Sequence, residues 1–306
     1  MTTKNTAQTP DGVRGFFVRL GRIDRRWIFL AMGLSIAVPI LFRLRFPEVP
    51  GPMARATFDA IDKLPNGSRV ILSFDFDPAS KAELQPMANA LVHHCASKDH
   101  KIVFMALWPL GKQMADQSIK DILLEYHGDR YRDAYGTNYV QLGFKAGNEG
   151  VIKMLTTNIA EAYPTDAFGA AVSSLPLVAD ARDLGSFDLV STVSAGYPGA
   201  KEWVQYGREA MKPEAGLTSG STGVQASQLF PYYPAQLNGL LVAVKGAAEY
   251  ETLVTEKYPV ERNTERLEQG RIRMGPQLVA HLLMIALIVL GNIAMIASRG
   301  TQGGAR

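Results

Sequence analysis

Apolar positions along this chain follow three patterns. Near the two ends they run unbroken: "WIFLAMGLSIAVPILF" fills 27–42 without a charge, and "PQLVAHLLMIALIVLGNIAMIAS" fills 276–298 with His281 and Asn292 as its main polar interruptions. Between them, short and nearly continuous runs take turns with stretches in which apolar residues recur every three or four positions. The short runs predict strands: "RVILSFDF" (69–76), "KIVFMALW" (101–108), "TNYVQLGF" (137–144) and "SFDLVSTVS" (186–194). "GVQASQLF" (223–230) is the expected fifth.

The longer stretches predict helices. Met87, Leu91 and Cys95 share a face of "KAELQPMANALVHHCASKD", and Ile119, Leu123 and Tyr126 share one of "MADQSIKDILLEYHG". Val151, Leu155 and Ile159 are in register over 148–163, and Trp203 and Tyr206 lie on a helix over 197–211. Leu237, Leu241, Val244 and Ala248 predict a long final helix over 235–254. A shorter helix before the first strand breaks at Leu64-Pro65 and turns at Asn66-Gly67. Strands alternating with helices of this length imply βαβ units and a mainly parallel sheet covered on both faces. The expected fold class is therefore α/β: a Rossmann-like or flavodoxin-like three-layer domain, flanked by N- and C-terminal transmembrane helices.

A membrane helix needs about 20 apolar residues. The second run has that length. The first is slightly short, but Leu44 and Phe46 extend it, and Arg43 and Arg45 can snorkel. The expected organisation is a basic segment over 1–26, a span over 27–46, the α/β domain over 47–275, a span over 276–298 and a tail over 299–306. Arg14, Arg19, Arg22, Arg25 and Arg26 precede the first span and place the N-terminus in the cytoplasm. Two spans return the C-terminus there and leave the central domain extracytoplasmic, in a bacterial or archaeal inner or plasma membrane. Lys257, Arg262, Arg266, Arg271 and Arg273 before the second span pull the other way, against only Arg299 and Arg306 after it.

Composition changes this picture little. Of 306 residues, 47% are hydrophobic and 20% charged, and the net charge is only +3, so no nucleic-acid partner is expected. Cys95 is the single cysteine, which excludes an internal disulfide and argues against a cysteine-based zinc site.

Four stretches carry candidate chemistry, because open α/β sheets bind ligands at the C-terminal ends of their strands. In "SFDFDPAS", Asp75 and Asp77 follow the first strand and are the candidate metal ligands, with Mg as the ion. A DxD there resembles the first motif of the haloacid dehalogenase superfamily, and the resemblance implies phosphotransfer or hydrolysis. That family places threonine or valine two residues after the second aspartate; Ala79 stands here, and Asp183 and Asp188 are isolated candidates for its later acidic motif. The competing assignment has Asp77 capping a helix that starts near Pro78. In "SAGYPGAKEW", Gly196 and Gly199 permit a tight turn able to hold an anion. In "GLTSGSTGVQ", read as a surface loop, Ser219, Ser221 and Thr222 are the preferred contacts for a phosphate or carboxylate. In "QLFPYYPAQLNG", Phe230, Tyr232 and Tyr233 suit a partner or lipid headgroups, with core packing as the plain alternative.

His93 and His94 are adjacent and point in different directions, so they form no ready ligand pair. Cys95 falls on the apolar stripe of its helix, and His100 and His127 are expected at the surface. GxSxG, HExxH, CxxC, Walker A and GxGxxG are all absent. The leading expectation is an accessory, scaffold or partner-binding subunit of a membrane assembly. It would touch other membrane proteins, or a second copy, through Phe230, Tyr232 and Tyr233 or through His281 and Asn292, with no cofactor. The alternatives are a membrane-tethered enzyme or small-ligand sensor, and a subunit of an oligomeric transporter.

Overall fold

The computed structural model describes residues 12–21, 23–259 and 264–302. Arg22, Arg262 and Arg306 lie outside the described residues, as do parts of the expected 1–26 segment and 299–306 tail. The chain divides into two compact units, Pro47–Arg271 and the terminal pair Met1–Phe46 with Ile272–Arg306. In chain order, α1 (Val13–Leu20) and α2 (Arg25–Leu41) lead into α3 (Pro52–Asp62), β1 (Arg69–Asp75), α4 (Lys81–Ser97) and β2 (Lys101–Ala106). Next come α5 (Gly111–Ser118), α6 (Gly128–Tyr131), β3 (Tyr139–Phe144), α7 (Glu149–Leu155), α8 (Ile159–Ala162) and β4 (Leu189–Ser194). The rest is α9 (Ala200–Glu202), β5 (Gly216–Ser221), α10 (Gly223–Leu229), β6 (Gly239–Val242), α11 (Ala243–Lys257) and α12 (Gln269–Gln302).

The six strands form one sheet in the order β3-β2-β1-β4-β5-β6, and every pairing is parallel. This is the Rossmann-like order, in which the chain reverses direction across the sheet between β1 and β4. Its cause is visible in the strands. Val70, Leu72 and Phe74 of β1 belong to one core, with Leu84, Met87 and Leu91 of α4 and Ala247 and Tyr250 of α11. Ile71, Val103 and Met105 belong to the other, with Val151, Ile152 and Trp203. A period-two backbone with apolar residues on both faces must be covered twice, and a parallel sheet allows this because each crossover supplies a helix.

Two expected elements are wrong. The fifth strand is 216–221, the stretch read as a surface loop, and the expected strand over 223–230 contains helix α10. The expected helix over 235–254 begins with β6, a strand of four residues, before α11. Small residues hide β5: "GLTSGS" has one large apolar residue, yet Leu217 through Ser221 are buried. They are small because neighbours press close. A Cβ on Gly220 would sit 2.9 Å from the Met87 sulfur, and one on Gly216 would sit 2.7 Å from Leu189. In β6 the i, i+4 spacing of Leu237 and Leu241 mimics a helix, and a run this short cannot show its own period.

Of the terminal unit, α12 carries the segment Gln269–Ser298, which is long and apolar enough to cross a membrane by length and composition. Among the described residues it is the one helix that qualifies. The expected pair of spans is therefore not matched: α2 has 17 residues, about 25 Å of helix against a hydrocarbon core of about 30 Å. Asp24 starts α2 early by accepting the Arg26 N–H at 2.9 Å. Trp27, Phe29, Leu34, Ile40 and Leu41 of α2 are all exposed.

The first residues of α12, through Arg271, belong to the α/β unit and are held within it. The buried Glu251 carboxylate accepts the N–H groups of Gly270 at 2.9 Å and Arg271 at 3.0 Å, two of the otherwise orphaned donors of a helix start. Burial pushes Glu251 up to about 8 against the pull of those bonds.

Candidate functional site

The reversal between β1 and β4 is where ligands of this fold ordinarily enter, at the strands' C-terminal ends. Asp75, the last residue of β1, pairs with Ser194, the last of β4. Alternation along β1 sends Ser73 and Asp75 to the same face as Ile71. There the Asp75 carboxylate is fully buried. It accepts the Leu107 N–H at 2.8 Å, the Ser73 hydroxyl at 2.8 Å and the Thr192 hydroxyl at 2.9 Å. Burial pushes its pKa up to about 6, and these hydrogen bonds limit the rise. The Trp203 indole N–H is near enough to help hold the value down, but it is out of hydrogen-bond geometry and has no partner among the described residues. The buried Tyr163 hydroxyl is likewise unpartnered.

Asp77 has a different environment. It is half-buried, and its Oδ1 accepts the N–H groups of Ala79 at 3.1 Å and Ser80 at 3.2 Å. It closes the turn that opens α4, and helix α4 itself begins at Lys81. Asp188 immediately precedes β4 at the opposite end of that strand from Ser194, about 20 Å away along six residues. Its carboxylate accepts the Arg69 N–H and pairs with Lys212, while Asp183 caps Gly185 at 2.9 Å. The later acidic motif implied by the dehalogenase resemblance is thus not assembled beside Asp75 by Asp188. Among the described residues no group of three or more His, Cys, Asp or Glu is placed to hold a metal ion.

The reversal point is covered by the molecule's own loops. Trp108, just after β2, donates its indole N–H to the Pro198 carbonyl at 2.8 Å, across to the β4 loop. A Cβ on Gly196 would meet the Trp108 ring at 3.5 Å, and one on Gly199 would lie 2.4 Å from the Gly196 carbonyl. The turn therefore needs glycine for close packing. Its N–H groups are used internally: Gly199 donates to Glu202 at 2.8 Å, and Ala200 donates to the Ser194 hydroxyl at 3.2 Å. Gln225 ties the same loop from β5's side, accepting from Ser194 and donating to the Gly196 carbonyl at 3.0 Å. A cavity of 240 Å³ remains beside Gly196, Lys201 and Gln225.

The other sequence-derived candidates do not gather here as a set. Ser219 and Ser221 are buried in β5, and their hydroxyls donate to the Gly220 and Thr222 carbonyls at 3.3 Å. The surface loop that was to present them does not exist. Thr222 is the N-cap of α10, accepting the Gln225 N–H at 3.4 Å. Phe230 is exposed, while the half-buried Tyr232 packs against the second core and accepts a bond from Gln205. Tyr233, also half-buried, ends the same short turn. His281 and Asn292 lie exposed on α12.

The histidines depart from expectation. His100 is fully buried and bonds the Ile61 carbonyl, and His127 stacks on His93 with ring nitrogens 2.9 Å apart. His94 bonds the Tyr250 hydroxyl at 2.7 Å and lies 3.5 Å from Asp62. Burial pushes His93 down to about 4 and His94 and His127 to about 3. Burial also raises Asp62, but bonds from Lys257 and Tyr258 outweigh it and hold it at about 2. Cys95 is the buried hydrophobe its stripe predicts, its thiol pushed up to about 12.

Trp108, Glu202 and Gln225, which seal the reversal point, carry no motif. Only the glycines of "GYPG" signalled that chains meet there. No protein-family model matches the chain, and no curated protein is significantly similar to it.

Proposed function

We propose that this chain is a membrane-anchored accessory subunit whose Rossmann-like domain offers the C-terminal edge of its sheet to another protein of a membrane assembly. The observation that carries this is a set of exposed apolar side chains following successive strands. Leu110 after β2, Phe144 at the end of β3, Tyr197 after β4 and Val224 after β5 are 47%, 37%, 59% and 86% exposed. Exposed apolar groups at the C-terminal ends of the strands favour a protein contact, and the Trp108 indole bonded to the Pro198 carbonyl covers part of the crevice a small ligand would ordinarily use. Attachment draws on α12 and on α2, whose exposed apolar residues suit lipid contact. The arginine cluster before α2 favours cytoplasmic termini and an extracytoplasmic domain. The small residues around Asn292 would support a second contact between membrane helices.

Site-specific photocrosslinking in intact cells tests this. A photoreactive residue at Tyr197 or Val224 is expected to capture a discrete partner, and one at Lys63, whose exposed side chain lies before β1, is not. Adducts at none of the edge positions would sink the proposal.

A second reading has one observation in its favour: Asp75, raised toward neutral pH, sits where this fold does its chemistry. A tethered sensor or Mg-dependent phosphotransfer or hydrolytic site would then use Asp75 with Asp77. Calorimetric titration of the full chain with Mg is the measurement, and saturable binding abolished by Asp75→Asn would favour this reading over the first.

A further inference from the structure

We propose that the open cleft at the C-terminal end of β3 binds a small organic anion, a carboxylate or phosphate group carried on an apolar body. This goes beyond the partner-binding reading and does not depend on it. The cleft has a volume of 440 Å³, within the range of small-molecule sites. Its walls hold Lys112, Lys145 and Thr165 beside Pro109, Leu142 and Ala162, so cationic and apolar groups line one space.

Among the described lining residues are two lysines and one carboxylate, that of Asp166, whose oxygens are already hydrogen-bonded. One accepts the N–H groups of Phe168 at 2.9 Å and Ala170 at 2.8 Å, and the other accepts the Tyr135 hydroxyl. Lys112 is paired with Asp116 at 2.7 Å. Lys145 has no ion-pair partner among the described residues, although it is half-buried. A half-buried ammonium with no ion-pair partner among the described residues leaves its donors available to a ligand's negative group.

The backbone is shaped around this space. Phe104 of β2 pairs with Gln141 and Met105 with Gly143, so Leu142 is an extra residue in β3. Bulges are rare between parallel strands and concentrate beside binding sites, where they re-aim side chains. Here the Gln141 side chain accepts the Gly143 N–H at 3.2 Å and holds the bulge. Gly143 has φ +85, and a Cβ there would lie 3.2 Å from Ala167 and 3.9 Å from Lys112. Gly143 thus lets two walls of the cleft close on the strand end. The 240 Å³ cavity by Gly196 makes a poorer site, since Glu202 and Gln225 there are already bonded to its own loop.

The test is calorimetric titration of the full chain in uncharged maltoside micelles with phenylacetate, phenyl phosphate, inorganic phosphate and benzyl alcohol. At least one of the two organic anions is expected to saturate with a Kd of about 10 μM to 1 mM, and which of them binds identifies the head group. Inorganic phosphate and benzyl alcohol are expected to bind at least about tenfold more weakly, because each lacks half of the recognition. Lys145→Met should weaken the organic anion at least about tenfold, Lys145→Arg should restore most of it, and raised salt should weaken it further. Ala167→Trp should abolish binding by filling the cleft, and Lys201→Met, by the smaller cavity, should leave it unchanged. No saturable binding by either organic anion would overturn the proposal. So would equal binding in Lys145→Met, or inorganic phosphate binding as tightly as phenyl phosphate. Lys145 lies at the surface of a strand end, so its variants test the site even where Ala167→Trp fails to fold.

Discussion

The two ends of the sheet bury ionisable groups in opposite ways. At the C-terminal end, one acid, Asp75, is surrounded by neutral donors from three chain segments. At the other end, the buried His93 and His94 and the half-buried His127 are held as neutral bases beside Tyr250, Tyr258 and a carboxylate already paired with Lys257. One end keeps a negative charge at the margin of ionisation, and the other excludes positive charge. The first is also where apolar groups after successive strands stay exposed. The second pins α4 to α11 and α3, the helices around one core. The contrast separates a region built to hold loops from a region built to hold helices.

The largest test removes the hub of the loop end. Asp75→Ala leaves the Leu107 N–H and the Ser73 and Thr192 hydroxyls buried without their acceptor. It is expected to cost about 3–5 kcal/mol, measured by denaturant unfolding of the full chain in micelles. A cost below about 1 kcal/mol would mean that water or another group satisfies those donors, and the end is not organised by this carboxylate. Trp108→Ala is next. It deletes the bond to the Pro198 carbonyl and the ring packed on Gly196. About 2 kcal/mol is expected for a half-buried tryptophan, with faster proteolysis confined to the β2 and β4 loops.

The sequence shows the parallel α/β class plainly, because β1 and β2 carry apolar runs that no loop would tolerate and helical stretches follow each strand. It does not show β5, where glycine and serine replace large residues under the pressure of Met87 and Leu189. The site is harder still. Asp75 and Asp77 look equivalent as letters two apart, yet a single change of direction after β1 buries one fully and leaves the other half-buried. Trp108 and Lys145 gain their meaning from strands more than 30 residues distant, through a strand order that local periodicity cannot specify. The histidine cluster is similar: His93 meets His127 only because α4 and the segment before α6 pack together.

Lowering the pH sharpens the contrast between the ends. His93, His94 and His127 have folded pKa values below the usual 6.5. The unfolded chain therefore binds more protons, and their contribution is lost as pH falls below about 6.5. Asp75 and Glu251 have raised folded values, so the native state binds more protons and their contribution grows as pH falls toward the unfolded carboxylate range. Between about pH 6 and 4.5 these three histidines and His100, which burial also pushes down, lose while the two acids gain, for a net loss of about 1–3 kcal/mol per pH unit. His93→Gln should flatten that slope and Asp75→Asn should steepen it, in unfolding measured across the range. The same slope in both variants would mean that other groups set the acid response.

The smallest expected effect tells Asp77 apart from Asp75. Asp77 accepts two N–H groups of the turn before α4 and is partly open to solvent, which is the geometry of a cap. Removing a capping side chain costs about 0.5–2 kcal/mol. The two bonds are 3.1 and 3.2 Å long, and water can replace part of them, which puts Asp77→Ala at about 0.5–1 kcal/mol. Asp77→Asn keeps an oxygen acceptor in the same place and is expected to stay within a few tenths of a kcal/mol of the parent. A cap therefore predicts that asparagine is tolerated better than alanine and that stability does not depend on Mg. A ligand role predicts the reverse: asparagine as damaging as alanine, and a stability that rises with added Mg in the parent alone. Asp75 has no such escape through asparagine, because an amide would turn one of its acceptors into a donor facing other donors. The pair of asparagine variants thus separates a carboxylate needed for its oxygens' direction from one needed for its charge and burial.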